Sequence, residues 1–216
     1  MILTTELPVD TAPVVRTLGR VGYMQALAGM RQFTAQRTDE TPDELWLLEH
    51  PPVYTLGQGA NAAHGPQKAN AIEVIRVERG GEITYHGPGQ LVCYTLIDLS
   101  RRGIKVREFV RLLEQSLIDL LAFHKVAAAR KPGAPGVYVG DAKIAALGIR
   151  VTRGRALHGL SLNVDMDLAP FSAIDPCGLP GLVVTRTQDL GVEAGIDELG
   201  AELASRIAGH LGGHRA

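Results

Sequence analysis

The chain has 216 residues, of which 45% are hydrophobic and 21% are charged, so it can bury a substantial core and is not a disordered polypeptide. Its 22 Lys and Arg residues nearly balance its 23 Asp and Glu residues, which gives no general affinity for nucleic acid or for an anionic membrane. Two cysteines exclude a disulfide framework, the first residues lack the pattern of a secretory signal, and no apolar run reaches the length of a membrane span. We therefore expect a cytoplasmic protein that folds as one domain over residues 1–216 and needs no metal.

The first half of the chain is predicted to hold one helix and three strands. Apolar residues at steps of three and four predict an amphipathic helix over 21–37. Apolar runs predict strands at 44–50, 72–77 and 90–98. The polar, glycine-rich stretch 57–70 between the first two strands is predicted to be a loop.

The second half is predicted to hold two helices with two strands between them. Leucines and a phenylalanine at helical spacing predict a helix over 106–123, and a final helix is expected over 196–210. Strands are expected near 136–152 and 156–164. Because short strands follow one another without a helix between each pair, we predict an α+β fold with mixed, largely antiparallel sheets flanked by helices.

The two cysteines stand in different surroundings. Cys93 lies in the apolar run LVCYTLI, which predicts a small buried core residue. Cys177 lies in AIDPCGLPG, where prolines and glycines rule out the middle of a helix or of a central strand. The sequence therefore indicates a thiol presented on a turn, and the alternative is a loop cysteine without a function.

Lys143 is the second candidate for chemistry. If DAKIAALGI over 141–149 is extended, alternation puts Lys143 on the same face as Ala145 and Leu147. A partly buried lysine there would act as a base or as a local charge, whereas at an open sheet edge its ammonium would simply reach water. An ammonium close to Cys177 would lower the pKa of the thiol. A separation of 34 residues neither supports nor excludes this contact.

Two further segments are rich in glycine or histidine. RGGEITYHGPGQ at 79–90 has four glycines and a proline in twelve residues, with His86 among them. Its exposed amides predict a ligand-binding loop, with a plain hairpin turn as the alternative, and it lacks the spacing of a phosphate-binding loop. In HGLSLNV at 158–164, Gly159 permits close approach of a ligand, and His158 is predicted to be a hydrogen-bonded structural residue.

These motifs together resemble one enzyme family. RGGEITYHGPGQ at 79–90, GVYVGDAKIAALGIR at 136–150, HGLSLNVDMDL at 158–168 and IDPCG at 174–178 occur in the order found in the lipoyl(octanoyl) transferases. The resemblance spans about residues 44–188. It implies a fold similar to the catalytic domain of biotin and lipoate protein ligases.

The resemblance also implies an activity and a set of site residues. The family transfers an octanoyl group from acyl carrier protein to a specific lysine of lipoyl domains, the first step of protein lipoylation, without ATP, metal or another cofactor. By this resemblance Cys177 carries the acyl group as a thioester, while Lys143 lowers the pKa of the thiol and acts as acid and base. The substrate-binding residues that it implies are Arg79, Gly80, Gly81, Glu82, Ile83, Thr84, Tyr85, His86, Ala146, Leu147, Gly148, Gly159, Leu160 and Ser161.

The implied partners are proteins. Acyl carrier protein is the donor, and the acceptors are lipoyl domains of 2-oxoacid dehydrogenases and the H protein of glycine cleavage; nucleic acid and membrane are not expected, and the enzyme is expected to be a monomer. Since both substrates are expected to be acidic, the basic stretch 101–111, with Arg101 and Arg102, is a candidate docking surface. A second cluster is formed by Arg150, Arg153 and Arg155, and solvated faces are the alternative for both.

Three other functions compete with this interpretation. An ATP-dependent lipoate or biotin ligase of the same fold would need a lysine but no nucleophilic cysteine. A cysteine thioesterase would pass the acyl group to water, and a silent acyl-carrier-binding module would use neither Lys143 nor Cys177. The feature that distinguishes the transferase from these alternatives is therefore Cys177, which lies in a turn rich in proline and glycine.

Overall fold

The computed structural model describes residues 11–61, 64–66, 71–176 and 181–213. Within these ranges the chain forms three α-helices, which are α1 (Tyr23–Gln36), α2 (Val106–Phe123) and α3 (Ile196–Gly212). The strands of the same ranges are β1 (Val14–Arg20), β2 (Glu44–Glu49), β3 (Val53–Leu56), β4 (Glu73–Arg76), β5 (Ile83–His86), β6 (Gln90–Leu96), β7 (Ala129–Lys131), β8 (Ala134–Val139), β9 (Ala142–Thr152) and β10 (Arg155–Asn163).

The strands form two mixed sheets. Seven of them build a large sheet in the order β1-β2-β6-β10-β9-β8-β7, in which β1 and β2 run parallel and the other neighbours antiparallel. The small sheet has the order β4-β3-β5, with β3 parallel to β4 and antiparallel to β5. The predicted α+β class with mixed, largely antiparallel sheets is confirmed.

Helices cover both faces of the large sheet. α2 contains no glycine or proline, and the Glu108 carboxylate accepts a hydrogen bond from the Lys105 N–H at 3.3 Å, so the helix start is capped. α2 and α3 bury leucines and isoleucines against one face of the sheet. α1 buries Tyr23, Leu27 and Met30 on the other face. None of the helices in the described ranges combines the length and apolarity needed to cross a membrane.

The loop that joins β4 to β5 connects the small sheet to the large one. β8 pairs with β9 over Ala142 to Ala145, so the remainder of β9 has an open edge toward that side. The Gly80 N–H donates to the Ile149 carbonyl at 3.0 Å and uses this edge. The loop therefore crosses the second half of β9, and a space is enclosed beneath it.

Several strands differ from those predicted. The single strand expected over 136–152 is a hairpin of β8 and β9, with a turn at Gly140, whose φ of 56° suits glycine. β5 lies inside the segment that was expected to be a loop, and the short strands β1, β3 and β7 were not predicted. β3, β5 and β7 have four residues or fewer, and β1 finds its partner β2 about thirty positions further along the chain, so the local pattern is weak.

Candidate active site

A cavity of about 330 Å³ lies between the large sheet and the β4–β5 loop. Its floor is a block of small residues on two paired strands, because Ala146 lies opposite Ser161 and Gly148 lies opposite Gly159. A methyl group at Gly148 would stand 3.0 Å from the Gly80 carbonyl oxygen, so larger side chains would push the loop away. Small residues at these positions thus keep the space open for an apolar ligand.

The roof of the cavity is fixed by a buried arginine. The Arg79 guanidinium donates to the Thr55 carbonyl at 2.7 Å, to the Thr55 hydroxyl at 2.8 Å and to the Gly80 carbonyl at 3.0 Å. These bonds tie the loop to β3, and Gly81, with a φ of 86°, supplies the turn. Arg79 therefore holds the loop in place as well as lining the cavity.

The structure gathers most of the predicted substrate-binding residues around this one cavity. Tyr85 is the exception, since its ring packs away from the cavity against Tyr54 and Phe171, at 5.5 Å from each ring centre. The predicted residues that line the cavity are Arg79, Gly80, Gly81, Glu82, Ile83, Thr84, His86, Ala146, Leu147, Gly148, Gly159, Leu160 and Ser161, and Lys143 joins them. Their roles in binding stay predictions.

A bulge in β9 decides where Lys143 points. Val137 of β8 pairs with Ala145, but the next residue, Tyr138, pairs with Lys143, so Ile144 is an extra residue in β9. One extra residue reverses the alternation of faces. Ala145 is consequently part of the core beneath α2, whereas Lys143 lines the cavity. The expectation that these two share a face is wrong for this reason.

The Lys143 side chain is buried, with 5% of its surface exposed, and it is held on three sides. Its Nζ donates to the Pro135 carbonyl at 2.8 Å and lies 5.6 Å from the centre of the Tyr138 ring. A Cβ atom at Gly136 would stand 2.5 Å from the lysine Cε, so a glycine is needed beside the lysine stem. Of the two alternatives for this lysine, a partly buried face and an open sheet edge, the structure shows the buried one.

Cys177 lies outside the described residues. The chain is described again from Gly181, and this segment returns to β9 beside Lys143. The Lys143 N–H donates to the Val183 carbonyl at 2.8 Å, and the Thr185 N–H donates to the Lys143 carbonyl at 3.0 Å. Cys93, by contrast, is a fully buried core residue as predicted, and burial raises the pKa of its thiol to about 12.

A directed chain of hydrogen bonds links His86 in the cavity wall to this segment. The Asn163 Nδ2 donates to the Thr185 carbonyl at 2.9 Å, which leaves its Oδ1 to accept from the Gln90 Nε2 at 2.9 Å. The Gln90 Oε1 therefore faces His86, whose Nδ1 lies 2.7 Å away and carries the proton. Burial lowers the pKa of His86 to about 3, so the ring is neutral and its Nε2 is an acceptor.

Further polar residues of the cavity were missed by the sequence analysis. The His50 Nδ1 donates to the Val21 carbonyl at 2.6 Å, so its Nε2 accepts from the Tyr94 hydroxyl at 2.7 Å. Tyr94 and Tyr23 line the cavity, but in the sequence each occupies an ordinary core position, one in a strand and the other in a helix. Nothing in the local pattern distinguishes these two tyrosines from other core residues.

His158 differs from its prediction. It is buried with 1% of its surface exposed, and neither ring nitrogen has a hydrogen-bond partner within the described part of the chain. The expectation of a hydrogen-bonded structural histidine is therefore wrong. Its backbone φ of 64° lies in the left-handed region, and burial lowers its pKa to about 4.

The basic stretch at 101–111 includes a structural ion cluster. Asp43 is buried and accepts from Arg101 at 2.7 Å, from Arg102 at 2.6 Å, from Arg37, and from the Asp98 N–H at 2.8 Å. Burial alone would raise the pKa of Asp43, but these donors lower it below its ordinary value. Arg102 is itself buried, so its predicted part in a docking surface is wrong.

Comparisons with known proteins agree with the motifs. A family model described as the lipoyl protein ligase A/B catalytic domain matches residues 22–208. An octanoyltransferase of Dechloromonas aromatica is 54% identical over 199 residues, which are 92% of this chain and 97% of that protein. An octanoyltransferase of Thiobacillus denitrificans is 57% identical over 189 residues, which are 88% of this chain and 86% of that protein.

A solved structure shows the same fold at low identity. A bipartite lipoate protein ligase from Thermoplasma acidophilum superposes with a TM-score of 0.76 and 19% identity, over 93% of this chain and 84% of that one. The resemblance and the fold inferred from the motifs are thus confirmed. The chain belongs to the lipoyl protein ligase A/B catalytic domain family and is an acyltransferase of the kind that its octanoyltransferase relatives represent.

Proposed function

We propose that the protein moves an octanoyl group from acyl carrier protein to a specific lysine of lipoyl domains, with Cys177 as the intermediate acyl carrier. The observation that carries this proposal is the position of Lys143. Its ammonium lies in the cavity wall, and its backbone is bonded to Val183, six residues after Cys177. Six residues span at most about 22 Å, so the contact between Cys177 and Lys143 that we propose lies within the reach of the chain.

The cavity suits a medium-length acyl chain. Ala146, Leu147 and Gly148 on β9, with Gly159 and Leu160 on β10, offer apolar or small surface along its length. The six or so methylenes of an octanoyl group contribute up to about 5 kcal/mol if fully buried, at about 0.8 kcal/mol each. The relatives named octanoyltransferase support this choice of acyl group.

In the first half-reaction the Cys177 thiolate attacks the carbonyl carbon of the octanoyl thioester on acyl carrier protein. A carbon–sulfur bond to Cys177 forms, and the bond to the carrier sulfur breaks after a tetrahedral intermediate. The carrier leaves as a thiolate and takes up a proton. The Lys143 ammonium stabilises the Cys177 thiolate through its charge, which raises the fraction of reactive sulfur near neutral pH.

In the second half-reaction the amine of the acceptor lysine attacks the Cys177 thioester. An amide bond forms and the bond to Cys177 breaks, while the Lys143 ammonium gives a proton to the departing sulfur and takes one from the attacking amine. An amide is more stable than a thioester, so the transfer needs no ATP. Because the donor leaves before the acceptor binds, ping-pong kinetics are expected.

His86 acts by position in this scheme. Its neutral ring cannot serve as an acid near pH 7, since its pKa is about 3. It is fixed through Gln90 and Asn163 to the carbonyl of Thr185, whose N–H donates to the Lys143 carbonyl. The chain of hydrogen bonds thus couples the cavity wall to the segment that follows Cys177.

The proposed partners are acidic proteins. Acyl carrier protein is the donor, and lipoyl domains of 2-oxoacid dehydrogenases and the glycine cleavage H protein are the acceptors, in the cytoplasm. Arg150 and Arg153 are exposed at the far end of β9 and suit docking of an acidic surface. Arg155 of the same cluster is partly used internally, because it bonds to Asp98 at 3.3 Å.

Intact-protein mass spectrometry tests the proposal. The purified protein is mixed with octanoyl-acyl carrier protein, beside the variants Cys177→Ser and Cys93→Ala. The wild type and Cys93→Ala are expected to gain one octanoyl group, which disappears when unmodified lipoyl domain is added. Cys177→Ser is expected to form no thioester.

Two results would contradict the proposal. If the wild type gains no octanoyl group and lipoyl domain is modified only with ATP and free octanoate, the protein is a ligase. If the acyl group is lost to water at the same rate with and without lipoyl domain, the protein is a thioesterase.

A further inference from the structure

Two polar side chains of the cavity wall have no hydrogen-bond partner in the described ranges. They are the Tyr23 hydroxyl and both ring nitrogens of His158, and the two residues are 5% and 1% exposed. Buried polar atoms in native proteins are nearly always paired with protein, water or ligand. Since both residues line the cavity, its contents are the available partner.

These groups lie at the end of the cavity away from Lys143. His158 pairs across the sheet with Ile149, six positions after Lys143 along β9. The Lys143 ammonium reaches along the sheet to the Pro135 carbonyl, two residues before Val137, the partner of Ala145, so roughly 10 Å or less along the strand separates it from the level of His158. The Tyr23 ring stacks on the His86 ring, with 6.1 Å between their centres. The charges of Arg79, Glu78 and Arg31 act on the pKa of Tyr23 and also on that of His158. The two residues are linked through neighbouring rings, since His50 lies 5.1 Å from Tyr23 and Tyr94 lies 6.2 Å from His158, between ring centres, and His50 and Tyr94 are 5.8 Å apart.

The chemistry of the pair selects an uncharged occupant. Burial raises the pKa of Tyr23 to about 12 and lowers that of His158 to about 4, so both are neutral near pH 7. A phenol and a neutral imidazole each offer one donor and at least one acceptor. The nearby Arg79 guanidinium donates to Thr55 and Gly80. A hydroxyl, which both donates and accepts, matches this set, whereas a charged group would lose its hydration.

The backbone at His158 indicates that this side chain is required at its position. Its φ of 64° lies in the left-handed region, which only a few per cent of non-glycine residues adopt, with asparagine, aspartate and histidine enriched among them. Glycine follows directly at 159, so a more permissive residue is within one position. A strained buried histidine in a cavity wall is typical of a binding position.

We propose that Tyr23 and His158 form a hydrogen-bonding subsite for a hydroxyl on the distal part of the acyl chain. The cavity then accepts hydroxylated medium-length acyl groups in addition to plain ones. This inference rests on the proposed acyl transfer, because it names a wider class of acyl group for the same site.

Three acyl donors test the subsite, namely acyl carrier protein loaded with octanoyl, 8-hydroxyoctanoyl or nonanoyl groups. The last two have the same number of non-hydrogen atoms, so their comparison isolates the hydroxyl. The wild type is expected to use 8-hydroxyoctanoyl at least about tenfold better than nonanoyl, measured as kcat/KM for transfer to lipoyl domain. Tyr23→Phe is expected to abolish most of this ratio.

Two further variants complete the experiment. His158→Asn keeps a residue that tolerates a positive φ and is expected to lower the same ratio. Tyr54→Phe removes a buried hydroxyl that donates to the Pro170 carbonyl, away from the cavity, and is expected to keep the ratio. The ratio, not the rate, is compared, so a general loss of stability does not imitate the effect.

The outcomes separate the two proposals. If octanoyl is transferred but the wild type shows no preference for 8-hydroxyoctanoyl over nonanoyl, the subsite is overturned and the polar groups hold only water. If no donor acylates the protein, the proposed transfer fails. In that case thermal shifts with free 8-hydroxyoctanoic and nonanoic acids decide the subsite, since only the former is expected to stabilise the wild type more than Tyr23→Phe.

Discussion

Lys143 owes its position to residues that do not touch a substrate. The extra residue Ile144 turns its side chain from the core toward the cavity, and the Pro135 carbonyl fixes its ammonium. The lack of a side chain at Gly136 leaves room for its stem. An ammonium held in this way keeps its position without help from a ligand, as expected for a preorganised catalytic group.

Replacing Lys143 tests its proposed role in acyl transfer. We expect Lys143→Met to lower the rate of transfer by about 10²- to 10⁴-fold, the usual contribution of a general acid or base. The pH at which Cys177 becomes reactive toward iodoacetamide should rise in the same variant, because the positive charge is gone. Lys125→Met removes an exposed lysine just after α2, and it should change neither property. Equal alkylation profiles in wild type and Lys143→Met would contradict the role.

Gly136 offers a second test that leaves the lysine in place. Gly136→Ala puts a methyl group 2.5 Å from the Lys143 Cε and 2.7 Å from the Ala145 carbonyl, at a φ of 133°. We expect a loss of about 1–3 kcal/mol in the free energy of unfolding and at least a tenfold loss of activity. Gly133→Ala is the matched control, since Gly133 also has a positive φ but nothing within 4 Å of the added atom. Urea denaturation and transfer assays on both variants separate backbone strain from displacement of the lysine.

At the scale of elements, the ion cluster around Asp43 joins parts of the chain that are far apart in sequence. Asp43 immediately precedes β2, Arg37 follows α1, and Arg101 and Arg102 follow β6. The Asp98 N–H completes the set of donors. The cluster therefore fixes where the start of β2 and the residues after β6 meet the end of α1, the helix whose first residue, Tyr23, lines the cavity.

Removing the charge of Asp43 should weaken this junction strongly. Asp43→Asn leaves the guanidinium groups of Arg37 and Arg102 buried without their carboxylate, and breaking a buried pair costs about 3–5 kcal/mol. Asp39→Asn is the control, because Asp39 is exposed and contributes its backbone carbonyl to Arg101. Urea denaturation measures the difference. A loss below about 1 kcal/mol in Asp43→Asn would mean that the cluster contributes little.

The elements also show how far local sequence determines this fold. The bounds of α2 were predicted as observed, since its apolar spacing is regular and uninterrupted. β3 and β5 have four residues each and exist through pairing with each other across about thirty positions, which no local pattern records. The bulge at Ile144 is likewise visible only in the pairing of β8 with β9.

The candidate site likewise contains some residues that the local sequence identifies and others whose properties depend on the fold. The glycine-rich motifs and Lys143 were identified from their composition, because glycines and a lysine in apolar surroundings are unusual in themselves. The burial of Arg102 depends on its ion pair with Asp43, 59 residues away. His158 has no hydrogen-bond partner in the described ranges because the side chains that surround it there offer none to its ring nitrogens. Such properties arise only when the chain is folded.

For the whole molecule, the cavity concentrates buried neutral histidines at the place where the two sheets and α1 meet. His50, His86 and His158 lie close together around Tyr94 and Tyr23. Burial lowers the pKa of each of them, to about 3 for His86 and about 4 for His158. The surroundings that keep the cavity apolar thus also oppose protonation.

This arrangement makes stability depend on pH. The unfolded chain protonates these histidines near their ordinary pKa of 6.5, whereas the folded chain does not until the pH approaches 4 or below. Below pH 6.5 the unfolded state therefore binds more protons, and stability falls as the pH falls. His86 and His158 should each remove about 2 kcal/mol between pH 7 and pH 5, and His50 should add to this loss. The carboxylates with lowered pKa, such as Asp43, titrate below this window and do not interfere.

Urea denaturation at pH 7, 6 and 5 measures the effect, and His158→Asn supplies the comparison. At pH 7 any loss of stability in the variant should come from local packing alone. Toward pH 5 the free energy of unfolding of the variant should fall less steeply than that of the wild type, because the unfolded variant takes up about one proton fewer. A wild type whose stability is unchanged between pH 7 and pH 5 would contradict the buried neutral histidines. An equal slope in His158→Asn would show that His158 is solvated, and the distal subsite of the cavity would lose its physical basis.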